Sequence, residues 1–298
     1  IPPATNEQCV DPFCFTFTVQ VCFTIPEITG FMLTKYIPIG NVSIFCRIYG
    51  KGFPVVLLHG FGEDGSVWEE QATSLSKDYL VIVPDLPGSG HSGNLDGTPG
   101  MKDFAITIYK LLISENTGPC IMIGHSMGGY ITLAFAEYYP ELVHRFGLFH
   151  SSAYADSAEK IAQREKAIEF IDANGASAFL KTSIPGLFRD PIESELEIRN
   201  LLEKGAHFTS AALIQYYRAM IDRTDRTCIV KNSKQPILYV LGEHDKAVPF
   251  ISGLEQTHLS SCTYIYVLRN SAHMGMLEET ARSNEILSQF IRSAISGV

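Results

Sequence analysis

Five residues around Ser126 have the types and spacing that nucleophilic catalysis requires. Gly124-His125-Ser126-Met127-Gly128 is a Gly-x-Ser-x-Gly motif between an apolar run typical of a strand and a helical pattern. A serine on so sharp a turn has a strained backbone, and the flanking glycines let neighbouring chain pass without a clash. The first amides of the following helix also favour developing negative charge. The motif predicts Ser126 as a nucleophile, against the alternative of an inert turn serine.

A serine hydroxyl needs a base to take its proton and a carboxylate to orient that base. Asp245 follows a predicted strand, and catalytic groups gather at the carboxyl ends of parallel strands. His273 lies just past the last predicted strand, where the base is expected. The alternatives are a turn cap for Asp245 and a structural role for His273, while Glu243 and His244 are expected to be solvated. We expect Ser126, Asp245 and His273 to form a catalytic triad.

The negative oxygen that forms during attack on a carbonyl group needs two fixed N–H donors. Met127 follows the nucleophile, so its amide supplies one donor. The turn His59-Gly60-Phe61-Gly62 follows another predicted strand and is placed to supply the second through the Phe61 amide. His59 and both glycines are then structural. This chemistry needs no metal ion and no organic cofactor, so none is predicted.

Length and composition indicate an ordinary globular enzyme. The 298 residues allow one large α/β domain with an insertion, and 46% hydrophobic against 18% charged residues argues against a disordered chain. The formal net charge of -9 and the lack of a basic run disfavour nucleic acid and anionic lipid as partners. A small-molecule substrate is therefore expected, and the oligomeric state is left open.

The seven cysteines form no Cys-x-x-Cys pair and have irregular spacing, which gives little support to a zinc site or a disulfide framework. Cys46 and Cys120 lie in strand-like runs, where buried reduced thiols are expected. This usage fits a reducing compartment. With no clear signal peptide, it predicts a cytoplasmic location.

Residues 1–31 differ from the rest of the chain. The apolar stretch 13–25 has no basic region before it, no clear cleavage site after it, and too many threonines for a membrane span. Within it, residues 15–21 alternate and could pair as an edge strand. We expect a poorly defined extension ahead of a natural start at Met32, with a retained secretion segment as the alternative.

From Met32 onward, strands alternate with helices, which predicts a mostly parallel sheet flanked by helices. The first two strands meet at Gly40-Asn41, a hairpin signal. Strands are predicted at 36–39, 43–49, 54–58, 79–83, 120–123, 146–149, 236–241 and 263–268, and helices at 66–76, 101–113, 129–139 and 280–293.

One long stretch, residues 151–235, contains no clear strand and reads as helices at about 158–174, 176–182, 192–205 and 210–222. The predicted division is therefore an α/β core of residues 32–150 and 236–298, interrupted by an all-helical cap of residues 151–235.

These motifs together identify a resemblance. From Met32 to the end, the chain resembles the α/β-hydrolase superfamily, in its group with a helical cap between the sixth and seventh core strands. The segment Pro84-Asp85-Leu86-Pro87-Gly88-Ser89-Gly90-His91-Ser92 matches that group's loop after the fourth core strand. The same group also shares the order of four motifs, which here are His-Gly-Phe-Gly, Gly-His-Ser-Met-Gly-Gly, Gly-x-x-Asp-x-x-Val-Pro and Ala-His-Met. The resemblance implies an α/β-hydrolase fold and a serine hydrolase of carboxylesterase or lactonase type.

In similar proteins the cap covers the nucleophile and shapes the pocket, although most apolar residues of the insertion are expected to form its own core. An apolar pocket would favour uncharged acyl groups, whereas Arg189 or Lys181 could meet a carboxylate. The predicted pocket residues are His150, Leu187, Phe188 and Tyr216.

The expected substrate is a small to medium carboxylic ester. The same motifs serve lactonases, thioesterases, amidases, carbon–carbon bond hydrolases and peracid-forming enzymes, so these alternatives stay open. Haloalkane dehalogenases and epoxide hydrolases carry aspartate at the elbow, and Ser126 disfavours both. A different class, a ligand-sensing protein with slow turnover, is the further alternative.

Overall fold

The computed structural model describes residues 32–295, so the interpretations of residues 1–31 lie outside the described part. Eight strands follow the predicted apolar runs closely. They are β1 (Met32–Ile39), β2 (Val42–Tyr49), β3 (Phe53–Leu58), β4 (Tyr79–Pro84), β5 (Cys120–His125), β6 (Val143–Phe149), β7 (Ile237–Gly242) and β8 (Thr263–Leu268).

All eight strands form one sheet in the order β1-β2-β4-β3-β5-β6-β7-β8. β1 and β2 pair as an antiparallel hairpin, and β2 is antiparallel to β4. The other six strands are parallel to one another. Every residue of β5 and β7 is buried, which explains why these strands are continuous apolar runs. The predicted α/β fold with a mostly parallel sheet is confirmed.

Eleven helices flank the sheet or lie between β6 and β7 within residues 32–295. Helix α1 packs against α11, and α2 packs against α3. The helices are α1 (Glu69–Leu75), α2 (Met101–Ser114), α3 (Met127–Tyr138), α4 (Ala158–Asn174), α5 (Ala176–Ser183), α6 (Glu195–Gly205), α7 (Ser210–Ile221), α8 (Thr227–Asn232), α9 (Phe250–Glu255), α10 (Gly275–Glu278) and α11 (Thr280–Ile295).

One sequence expectation about helices was wrong, and three short helices were missed. The helix predicted to be capped by Ser66 starts instead with a 3-10 turn at Gly65–Trp68, whose cap is Asp64, because the Asp64 carboxylate accepts from the Ser66 amide at 2.7 Å. Helices α8, α9 and α10 were not predicted. Each has six residues or fewer, too few to show a helical period.

The chain between β6 and β7 is helical, with α4 to α8 and a 3-10 turn at Ile184–Leu187. Helix α4 packs along α7. Both are tied to the loop before α4, because Asp156 pairs with Arg164 of α4 at 2.6 Å and with Arg223, just past α7, at 2.8 Å. None of the helices within residues 32–295 combines the length and the apolar character needed to cross a membrane.

The cysteines in β2 and β5 are buried and unpaired, as expected. Burial raises the pKa of both the Cys46 and the Cys120 thiol to about 12, so neither forms a reactive thiolate at neutral pH.

Candidate active site

The elbow between β5 and α3 holds Ser126 in a strained conformation. Ser126 has φ +50° and ψ −115°, a left-handed φ that is rare for a residue with a side chain. A Cβ on Gly124 would overlap the backbone of Gly128, so the chain passes here only because Gly124 lacks a side chain. The Ser126 amide donates to the Phe149 carbonyl at 3.0 Å, and the Ser151 hydroxyl donates to the Ser126 carbonyl at 2.7 Å. The strained turn is therefore fixed to the end of β6.

The structure brings Asp245 and His273 together after β7 and β8. His273 Nδ1 lies 2.8 Å from Asp245 Oδ2, and the second carboxylate oxygen accepts from the amides of Ala247 at 2.8 Å and Val248 at 2.9 Å. Burial alone would raise the pKa of Asp245, yet the charge and the hydrogen bond of His273 lower it. The ionised carboxylate keeps the proton on Nδ1, which leaves Nε2 of His273 free to act as a base. Ser126 and His273 line the same cavity.

His150 lies in a different place from the one predicted. It follows β6 with φ +48° and is fully enclosed beside Asp245, outside the cavity wall. The Gly242 amide donates to His150 Nδ1 at 3.1 Å, and the same nitrogen lies 3.3 Å from Asp245 Oδ2. Burial lowers the pKa of His150 to about 4, so the ring is neutral at neutral pH. His150 therefore packs beside the Asp245 carboxylate and does not line the cavity.

His150, Asp245 and His273 also form the kind of group that binds metal ions, with ligand atoms within 4.8 Å of one another. The atoms of this cluster that face one another already make hydrogen bonds. The His150 Nδ1 lone pair accepts from Gly242, and the Asp245 oxygens accept from His273 and two backbone amides. Hydrogen bonding accounts for this cluster, and it does not fit a metal centre.

The two backbone segments that were predicted to supply oxyanion donors both lie beside Ser126. Met127 is the first residue of α3, and the first N–H groups of a helix have no acceptor within the helix. The turn that carries Phe61 passes directly against the serine, since a Cβ on Gly60 would lie 3.2 Å from the Ser126 Cβ. His59 anchors this turn: its Nε2 accepts from the Leu86 amide at 2.9 Å, and its Nδ1 lies 2.8 Å from the Gly60 carbonyl.

A buried ion pair lies behind the elbow and was not predicted from the sequence. Glu63 Oε2 accepts from the Gly60 amide at 2.9 Å and lies 3.0 Å from His125 Nδ1. His125 Nε2 donates to the His273 carbonyl at 2.9 Å. Burial would lower the pKa of His125 and raise that of Glu63, but each group reverses the effect on the other. The proton therefore resides on His125, and the pair joins the turn at Gly60, the elbow and the His273 loop.

The loop around His273 is also held by the helical insertion. The His273 amide donates to the Leu187 carbonyl at 2.8 Å. Glu278 accepts from the Ala272 amide at 2.9 Å with one oxygen and from the Arg189 amide at 2.7 Å with the other. The backbone of the insertion thereby anchors the loop that carries His273.

The cavity at Ser126 has a volume of about 150 Å³, small beside the ~300–1,000 Å³ of drug-sized ligand sites. Of the pocket residues predicted from the insertion, Leu187 lies in its wall. Phe188 and Tyr216 are buried elsewhere, because the Tyr216 hydroxyl donates to the Pro87 carbonyl at 2.7 Å. Tyr217 lines the cavity instead and stacks on Phe61, with ring centroids 4.3 Å apart.

The cations in the cavity wall are also not those predicted. Arg189 and Lys181 are exposed, and Arg189 pairs with Glu193. Lys160 and Arg164 of α4 line the cavity with Ser126 and His273. The full lining is Phe61, Glu63, Ser126, Tyr130, Lys160, Arg164, Leu180, Ser183, Ile184, Leu187, Tyr217, Met220, Ala247, Val248 and His273.

The family is clear from comparison with known proteins. A model described as the alpha/beta hydrolase family matches residues 55–285, and the chain belongs to that family. A hydrolase is the class of enzyme that this membership and the fold support.

Individual relatives are more distant. The chain is 34% identical over 122 residues to an (E)-2-((N-methylformamido)methylene)succinate hydrolase from Acinetobacter baylyi, a match to 40% of this chain that spans about half (46%) of the relative's length. It is 25% identical over 262 residues to a pimeloyl-[acyl-carrier protein] methyl ester esterase from Vibrio atlanticus, covering 83% of this chain and 97% of that one. A thermophilic esterase from Thermogutta terrifontis, solved with malate bound, shares the fold with a TM-score of 0.81 and 24% identity, over 88% of this chain and 98% of that chain.

Proposed function

We propose that this protein is a serine hydrolase that cleaves a small carboxylic ester through an acyl-enzyme on Ser126. One observation carries the proposal: a strained serine at the head of α3 shares a cavity with His273, whose Nδ1 lies 2.8 Å from the Asp245 carboxylate. A strained turn that also carries a hydroxyl and faces an oriented imidazole serves nucleophilic attack.

In acylation, the Ser126 oxygen attacks the ester carbonyl carbon while His273 Nε2 takes the hydroxyl proton. The carbonyl oxygen gains the electron pair of the broken π bond, and the amides of Phe61 and Met127 donate to it. Asp245 steadies the imidazolium. The intermediate then collapses, the ester C–O bond breaks, and the leaving alkoxide takes the proton from His273 to depart as the alcohol.

Deacylation repeats these steps with water. His273 takes a proton from the water as its oxygen attacks the acyl carbon, and the same two amides hold the second oxyanion. When the bond to Ser126 breaks, His273 returns the proton to the serine oxygen, and the carboxylic acid leaves.

Three further points support an ester substrate, its modest size and the role of the insertion. The relative from Vibrio atlanticus is named as a methyl ester esterase. The cavity of about 150 Å³ suits short acyl chains. The segment 151–235 acts in this proposal as a cap over the nucleophile, since Leu187 and Tyr217 contribute to the cavity wall.

The test is hydrolysis of p-nitrophenyl acetate and butyrate by the parent protein, Ser126→Ala and Ser43→Ala. Ser43 is an exposed residue of β2 and serves as the matched control. We expect kcat to fall at least about a thousandfold in Ser126→Ala and to be unchanged in Ser43→Ala. A fluorophosphonate should add one mass label to the parent and none to Ser126→Ala. Equal turnover by the parent and Ser126→Ala would refute the proposed nucleophile.

A further inference from the structure

Two cationic side chains of one helix line the cavity that holds Ser126 and His273. Lys160 and Arg164 are four residues apart on α4, so their side chains emerge on the same face. Arg164 is buried and Lys160 is half-buried. Each therefore gives up part of its hydration to reach the wall of a small cavity, which is costly unless a partner compensates.

The charges around these two residues do not balance. The Asp156 carboxylate serves two guanidinium groups, accepting from Arg164 Nε at 2.6 Å and pairing with Arg223 at 2.8 Å. Within residues 32–295, no carboxylate oxygen lies within 4.0 Å of the Lys160 ammonium, which donates to the Ala247 carbonyl at 3.1 Å. Two other acids lie nearby, and both are already paired, Glu63 with His125 and Asp245 with His273. One side of the cavity thus carries excess positive charge.

The stability of α4 does not explain why a lysine occupies position 160. Ser157 caps this helix and accepts from the Lys160 amide at 3.2 Å, which places Lys160 in the first turn. A cation there opposes the helix dipole and destabilises the helix. Lys160 is half-buried, forms no ion pair with an acid of residues 32–295, and destabilises its own helix. A lysine in such a position is expected where its charge serves a ligand.

We propose that Lys160, together with Arg164, binds a free carboxylate of the substrate, so that the preferred substrates are short esters carrying a second, ionised carboxyl group. This inference rests on the proposed function and specifies its substrate class. The ester carbonyl lies at Ser126, and the carboxylate lies against α4. Charge-assisted hydrogen bonds from the ammonium and the guanidinium replace the hydration that the carboxylate loses.

Matched ester pairs of equal shape test this preference. Monoethyl succinate is compared with ethyl 4-methylpentanoate, and acetoxyacetate with isobutyl acetate, so that an isopropyl group replaces the carboxylate in each pair. Acid release in a pH-stat gives kcat/KM for all four esters. We expect the parent to favour the anionic member of at least one pair by about 10- to 100-fold. A parent that favours the neutral member of both pairs, or shows no preference, overturns the inference.

Three variants assign the preference to Lys160. Lys160→Met should lower the ratio of kcat/KM between anionic and neutral esters by about 10- to 100-fold, and Lys160→Arg should retain most of it. Lys166→Met, at an exposed position of the same helix, should leave the ratio at the parent value. Should Lys160→Met fail to fold by circular dichroism, Lys160→Gln takes its place. An unchanged ratio in a folded variant at Lys160 refutes the assignment.

A binding measurement separates this inference from the proposed function. Calorimetric titration of Ser126→Ala with monoethyl succinate and with succinate needs no turnover. If the parent hydrolyses none of the esters but Ser126→Ala binds both anions and Lys160→Met abolishes that binding, the anion site stands and the ester hydrolase does not. If the parent hydrolyses neutral esters and neither anion binds, the hydrolase stands and the anion site is refuted.

Discussion

His125 Nε2 donates to the backbone carbonyl of His273 at 2.9 Å, so the residue before the elbow serine holds the loop that carries the opposing imidazole. The other nitrogen of His125 contacts Glu63, which in turn accepts from the Gly60 amide. One buried ring therefore connects three loops from three different strands. The relative positions of Ser126, His273 and the turn at Gly60 depend on this connection.

The Glu63–His125 pair makes a pH-dependent contribution to folding. The pKa of His125 is raised on folding, so its contribution is complete below its ordinary value of 6.5 and is lost as the pH rises through the raised value. The pKa of Glu63 is lowered, so its contribution is present above its ordinary value of 4.5 and is lost at lower pH. Glu63→Gln should lower the free energy of unfolding by about 1–3 kcal/mol near pH 6, and by less as the pH rises past the raised value.

Urea unfolding of the parent and Glu63→Gln between about pH 6 and pH 10 measures this difference. Glu70→Gln, which alters an exposed carboxylate of α1, is the control and should shift stability by less than ~0.5 kcal/mol at every pH. A loss in Glu63→Gln that is constant across the range would show that the pair is not ionised.

Asp245→Asn tests the orientation of the imidazole. The amide of asparagine would face His273 Nδ1 with an N–H group or a neutral oxygen, so the ring would lose its fixed tautomer and the charge that stabilises imidazolium. We expect kcat to fall by about a thousand- to ten-thousandfold. Glu243→Gln, at an exposed carboxylate two residues earlier, should retain parental kcat. Similar losses in both variants would argue for a general loop effect.

Gly124→Ala tests the steric basis of the elbow. The added Cβ would overlap the Gly128 backbone, and we expect a loss of about 1–3 kcal/mol in the free energy of unfolding together with displacement of Ser126. Gly118→Ala is the control, because nothing lies within 4 Å of its added Cβ. Thermal and urea denaturation of both variants measure the contrast. Parental stability in Gly124→Ala would mean that the elbow is less tightly packed than described.

Neighbouring tyrosines of α7 should have separate roles. Tyr217→Ala removes part of the cavity wall, so the ratio of kcat/KM for p-nitrophenyl hexanoate over acetate should rise several-fold. Tyr216→Phe removes the hydroxyl that donates to the Pro87 carbonyl, and should cost about 1 kcal/mol of stability without changing that ratio. A shift in chain-length preference from Tyr216→Phe instead would place the substrate on the other side of α7.

Much of the fold could be predicted because the parallel strands are buried on both faces. β5 and β7 are buried along their whole length and begin with apolar runs, and each leads into a loop bearing Ser126 or Asp245. The common direction of these strands brings their carboxyl ends to one edge of the sheet, which is why His273 could be assigned beside Asp245 from chain order alone.

The pairings that depend on side-chain packing could not be predicted. Glu63 and His125 are far apart in the chain, and neither shows its partner in its local sequence. Tyr216 and Tyr217 are adjacent, and successive helical residues point about 100° apart, so their order does not tell which one meets the cavity. For the same reason, the sequence did not indicate which cations of the insertion line the cavity. The orientation of α4 places Lys160 there, and Lys181 and Arg189 lie elsewhere.

β5 and β8 lie at different positions in the sheet, and this difference affects their local stability. β5 has a hydrogen-bonded neighbour on each side, whereas β8, among the strands of residues 32–295, lies at the end of the sheet and pairs with β7. Edge strands open more readily than central ones, and the loop with His273 follows β8. Fraying at that edge would carry the base away from Ser126 while most of the sheet stays folded. On warming, we therefore expect hydrolase activity to be lost reversibly at a temperature below the midpoint of global unfolding.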